Sequence, residues 1–347
     1  MRETQVKLSV IVIAHDRMEF IERALSSVRS QLGLSESPEV IVVTNLPEDW
    51  WQTLLRGYPC KPVRMAGSMS DKVLAGYRAS TGDVVCFIED DDEYAPGRLA
   101  KIETLFRTDP GLDYYHNAQT FIDAHSNRLS GGGIRAPCKV LETNSLDSRE
   151  IYHLVNHSVD FNVGSMAVRR TLLESALQNL GASWFGSDTY LFYAGITLGR
   201  RLAIDPSPET RVRLHGGNLS SPTNGGLSSQ RFYERRQVAA TTLLTCYRTL
   251  TLAITAARPN HPALLTIDLQ SHYIATFAEF DGFARRRRDI MPKVSWLFSP
   301  SYLLKRAYFS DALGRTLFWE VAAILSFVSP RLLLEAHALL VKMRWGL

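Results

Sequence analysis

The segment DVVCFIEDDDEY, from Asp83 to Tyr94, decides the fold of this chain. The apolar run that ends at Ile88 is typical of a buried strand. It passes directly into five consecutive acids, Glu89 to Glu93, and a helical pattern begins after Pro96. A buried strand that leads through a charged turn into a helix is the repeating unit of an α/β protein.

The acid run also indicates chemistry. Adjacent carboxylates repel one another, and their burial costs several kcal/mol unless a cation lies among them. Mg²⁺ and Mn²⁺ take carboxylate oxygens as ligands, usually together with phosphate oxygens of a substrate. Ligands of open α/β folds bind at the carboxyl edge of the sheet. The run therefore predicts a metal and diphosphate site, and the alternative is a solvated acidic turn after an edge strand.

Three further strand patterns precede this segment, at Leu8–Ile13, Val40–Val43 and Pro62–Met65, and a helix is predicted at Ser70–Ala79. Alternating strands and helices predict right-handed βαβ units and a mostly parallel central sheet flanked by helices. The sequence has no GxGxxG after the first strand and no GxxxxGK[ST]. These absences exclude the dinucleotide-binding fingerprint and the P-loop.

The remaining pattern predicts short strands and loops over residues 113–144, a strand at Phe161–Val168 and a helix at Thr189–Leu198. Short strands are predicted at Leu202–Ile204 and from Arg211. A stretch rich in Ser, Pro, Gly and Asn at 221–229 marks a boundary. We therefore expect an α/β domain over residues 1–225 and an all-helical region over residues 226–347.

Composition sets limits on the class of protein. The chain has 347 residues, 45% hydrophobic and 21% charged, which is ordinary for a globular protein. A net charge of +4 gives no argument for a nucleic-acid partner. The four cysteines lack CxxC spacing, which predicts a reducing compartment and no structural zinc. The N-terminus leads straight into a strand, so no signal peptide is predicted.

Four features occur in an order that resembles family 2 glycosyltransferases. They are the first strand and helix (Leu8–Gln31), the acid cluster before a Pro-x-Arg-Leu helix (Thr81–Pro96), an acid after an aromatic-Gly turn (Gly186–Asp188), and a His-Gly-Gly-Asn segment (His215–Ser220). The resemblance covers roughly residues 6 to 222. It implies the GT-A fold and transfer of a sugar from a nucleoside-diphosphate sugar to a hydroxyl, with inversion at the anomeric carbon. It also implies a divalent metal, Mg²⁺ or Mn²⁺.

The resemblance assigns roles to the acids. Asp91 matches the metal-binding residue, while Asp90 or Glu89 would contact the donor ribose or a metal-bound water. The family more often has Asp where Glu89 stands. Asp188 matches the catalytic base, although a carboxylate there is also a good helix N-cap. The family usually has a second acid where this chain has Ser187.

Three basic residues are candidates for binding the metal or the phosphates, of which His215 matches a family position, and each has a simpler alternative. His215 would reach the metal or the diphosphate, or be a solvated loop histidine. Arg213 would pair with the diphosphate, or be an exposed strand residue. Lys72 would reach phosphate, or be a solvated lysine.

The nucleoside would lie at the ends of the first two strands. Ala14, His15 and Asp16 match the segment that cradles base and ribose, where His15 could stack on the base and Asp16 could be only an N-cap. The family commonly has two acids at the second strand end, the first of which reads the uracil imide. This chain has Thr44 and Asn45, which hydrogen-bond without charge, so guanosine and thymidine donors stay open beside uridine.

The sugar pocket would be lined by the segment that contains Asn162 and Ser165. Trp184 could stack on the acceptor or donor sugar through its ring face, and core packing is the equal alternative.

The C-terminal region carries a basic run, Arg285–Arg288, and an apolar stretch, Leu317–Val328, that is followed by more apolar residues with cations between them. No apolar run reaches the ~20 residues of a membrane-spanning helix. These features suit a helix in the membrane interface, and equally a helix packed on the catalytic domain or in a dimer. A helix in the membrane interface predicts a cytoplasmic enzyme that is held peripherally on the inner face of the cell membrane. Such an enzyme would have a lipid-linked or polysaccharide acceptor.

Two other functions stay open from the sequence alone. A nucleotidyltransferase also uses carboxylates and a metal beside a parallel sheet, but it would release pyrophosphate. A non-catalytic scaffold would retain the domain as a relic and bind a membrane or partner through its C-terminal helices.

Overall fold

The structure is a computed structural model that describes residues 5–15, 18–129, 138–215, 230–271 and 274–275. The chain divides into two compact units, residues 1–213 with 253–263, and residues 214–252 with 264–347. The domain boundary predicted at residue 225 lies outside the described residues.

Strands and helices alternate from the start of the first unit. Strands β1 to β4 are Leu8–Ile13, Glu39–Thr44, Lys61–Arg64 and Val84–Glu89, and helices α1 to α3 are Met18–Arg29, Glu48–Gly57 and Met69–Ala79. Strand β1 pairs in parallel with both β2 and β4, and β2 pairs in parallel with β3. The predicted α/β fold with parallel βαβ units is confirmed.

The second part of this unit completes the sheet. Its elements are β5 (Glu93–Tyr94), α4 (Arg98–Thr108), β6 (Leu112–Ile122), β7 (Lys139–Glu142), α5 (Ser148–Asn156), β8 (Met166–Arg169), α6 (Arg170–Leu180), α7 (Asp188–Leu198) and β9 (Arg201–Arg213). The strand order is β3-β2-β1-β4-β8-β6-β9-β5, with β7 also paired to β9. Strand β8 runs antiparallel to β4 and β6, whereas β6 and β9 are parallel.

Strand β6 corrects the prediction of short strands and loops after residue 113. All eleven residues of β6 are buried, although many are polar. Its His116, Asn117 and Gln119 find hydrogen-bond partners inside the protein. A central strand whose polar side chains are satisfied in this way has no apolar run, so periodicity does not reveal it.

Two other strand predictions were wrong in their bounds. The strand predicted from Phe161 begins only at Met166, because Asn162 has a φ of +66° and breaks the extended backbone. The two short strands predicted after Leu202 are a single strand, β9. Register shifts occur where Pro208 faces Ala118, so proline interrupts the sequence pattern without ending the strand.

The hydrophobic core fixes the edge of the sheet from which the loops emerge. Both β1 and β4 are apolar and buried, and α1 and α4 contribute Ile21, Leu25, Leu99 and Ile102 to the same cluster. Because β1, β2 and β4 are parallel, their carboxyl ends lie at one edge of the sheet. The ends of these strands and the loops that follow them carry the predicted nucleoside-binding residues at Ala14, His15, Thr44 and Asn45, and the acid run.

Helix α8 spans Gln230–Ala257, and residues 263–271 are also helical. Within α8, the 21 residues Gln237–Ala257 are long and apolar enough to cross a membrane, although a core helix of a soluble protein passes the same test. The sequence did not predict such a segment, because threonines and Arg248 interrupt the apolar residues. The segments predicted to bind a membrane, Arg285–Arg288 and Leu317–Val328, lie outside the described residues.

Candidate active site

The acid run follows β4 as a tight, buried turn. The amide of Asp92 donates to the carbonyl of Glu89 at 3.3 Å, and Glu93 begins β5. Asp90, Asp91 and Asp92 are only 1%, 2% and 3% exposed. The alternative of a solvated acidic turn is therefore wrong, and the repulsion between these carboxylates must be offset inside the protein.

Asp90 connects the ends of β4 and β1. Its Oδ2 accepts from the backbone N–H of His15 at 2.7 Å, and its own N–H donates to the carbonyl of Ile13 at 3.2 Å. The predicted nucleoside cradle at Ala14 and His15 is thus joined directly to the acid run. Asp16, the third residue predicted there, lies outside the described residues.

Arg213, at the end of β9, is a cation inside the acid run. Its backbone N–H donates to Asp92 Oδ1 at 3.0 Å, its Nε donates to the carbonyl of Asp91 at 2.8 Å, and its Nη2 forms a short ion pair with Glu93. Nη1 donates to the carbonyl of Asp123 at 2.7 Å. Its side chain is fully buried, so the alternative of an exposed strand arginine is wrong.

Lys72 of α3 brings together residues predicted on three separate segments. Its Nζ lies 2.8 Å from the carbonyl of Ala14, 3.0 Å from Asn45 Oδ1 and 2.9 Å from His15 Nδ1. It is 1% exposed, so the alternative of a solvated lysine is wrong. Because an ammonium only donates, Oδ1 of Asn45 and Nδ1 of His15 must face it as acceptors. Lys72 therefore orients the side chains predicted to hold the base.

Thr44 is fully buried at the end of β2. Its Oγ1 accepts from the N–H of Leu46 at 3.0 Å, so the hydroxyl stabilises the turn after the strand. Asn45 is the exposed residue of the pair.

Asp188 is the first residue of α7, and Ser187 is the N-cap, with its Oγ accepting from Tyr190 N–H. The alternative that Asp188 is itself the N-cap is therefore wrong. The Asp188 carboxylate accepts from the N–H of Thr189 at 2.8 Å and from the N–H of Asn162 at 3.2 Å. Burial raises the pKa of Asp188, and these hydrogen bonds offset part of that effect. A carboxylate with a raised pKa is better suited to accept a proton.

The turn before Asp188 packs on α3, which a Ser68–Asp71 capping box starts. Gly186 has a φ of +81°, and a Cβ there would lie 2.0 Å from Val73 Cγ1. Only glycine permits both this backbone and this approach. The helix that carries Lys72 and the turn that carries Asp188 are therefore packed against each other.

Of the residues predicted to line the sugar pocket, Asn162 is buried and Ser165 is fully buried. Ser165 Oγ donates to Asn162 Oδ1 at 3.2 Å, so this hydrogen bond helps to fix the Asn162 side chain. Trp184 is half-buried, and its carbonyl accepts from Ser187 N–H at 3.1 Å. Sugar stacking by Trp184 stays a prediction.

His215 is half-buried and belongs to the second unit. Its role toward a metal stays a prediction, as does that of Asp91. Among the residues that the structure describes, no three His, Cys, Asp or Glu side chains form a cluster that could hold a metal ion. Magnesium sites often use one or two carboxylates and take their other ligands from substrate phosphates and water. The hard carboxylate oxygens of the acid run fit such an ion.

The sequence did not reveal two features of this site. One is the insertion of Arg213 into the acid run, which depends on the pairing of β5 with β9. The other is the contact of Asn162 with both Asp188 and Asp92, at 3.2 Å and 3.1 Å. The insertion of Arg213 has one signal in the sequence, an arginine at the end of a strand near a predicted carboxylate site. The contacts of Asn162 have no such signal, because they depend on its positive φ.

The sequence is similar to those of known glycosyltransferases. Residues 9–177 match the model described as glycosyl transferase family 2. The chain is 25% identical over 234 residues to an uncharacterized glycosyltransferase from Nostoc sp., covering 65% of this chain and 70% of that protein. It is also similar to crystal structures of S. aureus TarS 1–349. The complex with UDP-GlcNAc gives a TM-score of 0.45 at 14% identity, covering 81% of this chain and 88% of that one. The complex with UDP gives a TM-score of 0.47 at 14% identity, covering 81% and 87%.

The matched residues contain β1 to β4, the whole acid run and Asn162, whereas Asp188 lies eleven positions beyond them. Residues 9–177 therefore belong to glycosyltransferase family 2.

Proposed function

We propose that this protein is an inverting glycosyltransferase that moves a sugar from a nucleoside-diphosphate sugar to a hydroxyl, with Asp188 as the base. Family membership supports a nucleotide-sugar donor. The observation that carries the mechanism is the placement of Asp188 beside the acid run. Asn162 contacts Asp188 through its backbone and Asp92 through its side chain.

A single displacement needs a base that removes the acceptor proton as the sugar is transferred. Asp188 suits this role because its carboxylate is held by two backbone N–H groups and has a raised pKa. The acceptor hydroxyl would donate its proton to this carboxylate. The same hydrogen bonds keep the carboxylate from rotating away from the acceptor.

The departing nucleoside diphosphate needs charge stabilisation. We assign this to a Mg²⁺ or Mn²⁺ ion held by Asp91, with His215 as a further ligand. When bound, the ion would neutralise part of the diphosphate charge. Asp90 orders the strand end beside it through the His15 N–H, and Glu89 would lie toward the ribose.

The nucleoside would lie over Ala14, His15 and Asn45, which Lys72 holds together. All three hydrogen atoms of the Lys72 ammonium have acceptors within the protein at these distances. Lys72 would therefore mainly orient the base-binding residues and would contribute only weakly to binding of the donor phosphates. No carboxylate stands at Thr44 or Asn45 to read a uracil imide, so uridine, guanosine and thymidine donors are all candidates.

The acceptor is assigned only by class, as a hydroxyl of a glycan or a lipid-linked glycan. We place the enzyme in the cytoplasm, with peripheral attachment to the inner face of the membrane as part of the proposal. A lipid-linked acceptor in polysaccharide assembly would account for such attachment.

The test is a panel of UDP-, GDP- and dTDP-sugars with Mn²⁺ or with chelator, followed by analysis of the nucleotide product. We expect a nucleoside diphosphate from one donor, formed with metal and lost in Asp188→Asn. Release of pyrophosphate would identify a nucleotidyltransferase instead. Absence of donor binding and turnover in the wild type would favour the non-catalytic scaffold.

A further inference from the structure

Asn162 lies between two carboxylates that belong to different elements, one at the start of α7 and one in the turn between β4 and β5. Its backbone N–H donates to Asp188 Oδ2 at 3.2 Å, and its side-chain Nδ2 donates to Asp92 Oδ2 at 3.1 Å. A single residue therefore contacts both the residue proposed as base and the acid run on the donor side. The two contacts use different atoms, so they can be removed separately.

The backbone of Asn162 is held in an uncommon conformation. Its φ is +66° and its ψ is +102°, in a region that residues other than glycine rarely adopt. Ser165 Oγ donates to Asn162 Oδ1 at 3.2 Å. A Cβ on Gly164 would lie 2.9 Å from the same oxygen, so glycine leaves the space that the amide occupies. The surroundings are thus built to keep this side chain in one orientation.

Buried side chains of β6 fix the segment that leads to Asn162. Tyr114 Oη donates to the carbonyl of Val159 at 3.2 Å, His116 Nε2 lies 2.9 Å from the carbonyl of Phe161, and Gln119 Nε2 donates to Ser165 Oγ at 3.0 Å. Burial lowers the pKa of His116 to about 4, so its ring is neutral and Nε2 carries the hydrogen that the carbonyl accepts.

These three β6 residues are polar and fully buried or nearly so. Buried polar side chains are retained only where they are hydrogen-bonded, and apolar residues would pack a central strand at lower cost. Their partners all lie between residues 159 and 165. These three side chains of β6 therefore serve to hold this segment.

We propose that Asn162 is a positioning residue that couples the orientation of the base Asp188 to the acid run through Asp92. This inference rests on the proposed function, because the coupling affects catalysis only if Asp188 is the base. The two hydrogen bonds of Asn162 are part of the fold in either case. Through it, a donor that orders the acid run would also fix the base, so that the base is best aligned when the donor is present.

Two substitutions separate the two contacts. In Asn162→Gly, the backbone can keep its positive φ and its N–H on Asp188, while the amide on Asp92 is lost. In Asn162→Ala, the amide is lost and the positive φ is also disfavoured, so the N–H is displaced from Asp188. Ser158→Gly is the matched control, because Ser158 lies in the same segment with a φ of +61°, and its described hydrogen bonds, to the Val155 carbonyl and from the Phe161 N–H, are backbone bonds that glycine can keep.

The first measurement is the pKa of Asp188, followed by NMR of ¹³C-carboxyl-labelled aspartate and assigned with Asp188→Asn. Tyr114 interacts with both Asp188 and Asp160, and Asp160→Asn is used to remove the second carboxylate from the titration. Loss of the Asn162 N–H removes a bond that lowers the pKa of Asp188. We expect a higher pKa in Asn162→Ala and an unchanged pKa in Asn162→Gly and Ser158→Gly.

The second measurement is steady-state kinetics with the donor found for the wild type. Asn162→Gly should raise the donor KM at least several-fold with the acid limb of the pH profile unchanged. Asn162→Ala should also move that limb to higher pH. A pKa of Asp188 that is the same in Asn162→Ala and wild type would overturn the proposal, as would a donor KM equal in Asn162→Gly and Ser158→Gly.

The two measurements separate this inference from the proposed function. If the wild type transfers no sugar, the proposed function fails, and the NMR titration still decides whether Asn162 holds Asp188. If turnover is present but the titration shows no effect, the positioning role fails alone. Folding of each variant is checked by its circular dichroism spectrum and melting temperature.

Discussion

Replacing Arg213 by Met should destabilise the first unit more than any neighbouring charge change. The guanidinium is fully buried, while Glu93 beside it is nearly so. Arg213→Met keeps most of the side-chain volume but leaves the Glu93 carboxylate buried without its main cation. It also removes the donors to the carbonyls of Asp91 and Asp123.

The expected cost follows from these contacts. Removing one partner of a buried ion pair typically costs about 3–5 kcal/mol, because the other charge remains desolvated. Each carbonyl left without a donor adds roughly 1 kcal/mol. With two such carbonyls, we therefore expect the free energy of unfolding to fall by about 5–7 kcal/mol, a large share of the roughly 5–15 kcal/mol that stabilises a native protein.

Arg211 supplies the matched control. It lies on the same strand, and its Nη1 is 3.7 Å from the other oxygen of Glu93, but its side chain is 40% exposed. Exposed pairs contribute about 0–1 kcal/mol, so Arg211→Met should cost no more than this. Urea denaturation with a check that the m value is unchanged measures both variants. Equal costs for Arg213→Met and Arg211→Met would refute the assignment of Arg213 as the cation that stabilises the acid run.

Three further changes test other parts of the site. Asp188→Asn should lower kcat about 10²–10⁴-fold without weakening donor binding by calorimetry. In the wild type, the acid limb of kcat/KM should lie above the ordinary range of aspartate, because the pKa of Asp188 is raised and activity is lost as the pH falls through it. Asp91→Ala should abolish the metal-dependent thermal shift produced by the donor, and an undiminished shift would exclude Asp91 as a ligand. Gly186→Ala should cost about 1–3 kcal/mol or more in unfolding free energy, since it strains a φ of +81° and meets Val73; a melting temperature equal to wild type would contradict this.

Hydrophobic patterns in the sequence are sufficient to predict the first part of the fold. Strands β1, β2 and β4 are apolar runs, and β4 ends in the acids that mark the site. The order of motifs that is typical of the family also identifies Asp188 as a candidate base. Local patterns succeed here because each of these features is contiguous in the chain.

The features that the sequence did not predict all depend on contacts between distant segments. Three side chains of strand β6, those of Tyr114, His116 and Gln119, bond to residues 159–165, so the polar pattern of the strand reflects its partners rather than its burial. Arg213 reaches Glu93 across 120 positions of sequence through the β5–β9 pairing. The burial of Lys72 follows from acceptors at Ala14, His15 and Asn45, which lie on two other strand ends.

The acid run illustrates how a cluster of like charges is accommodated in this fold. Asp90 is held by the loop after β1, Asp92 by Asn162 and the end of β9, and Glu93 by Arg213. Arg213 holds Asp91 through its carbonyl. The members of the run are thus divided among separate elements, each of which limits the repulsion by fixing one carboxylate apart from the next. The same division makes the run a junction, because Asp90 contacts the nucleoside cradle predicted at His15, while Asp92 contacts the end of β9 and, through Asn162, is connected to Asp188.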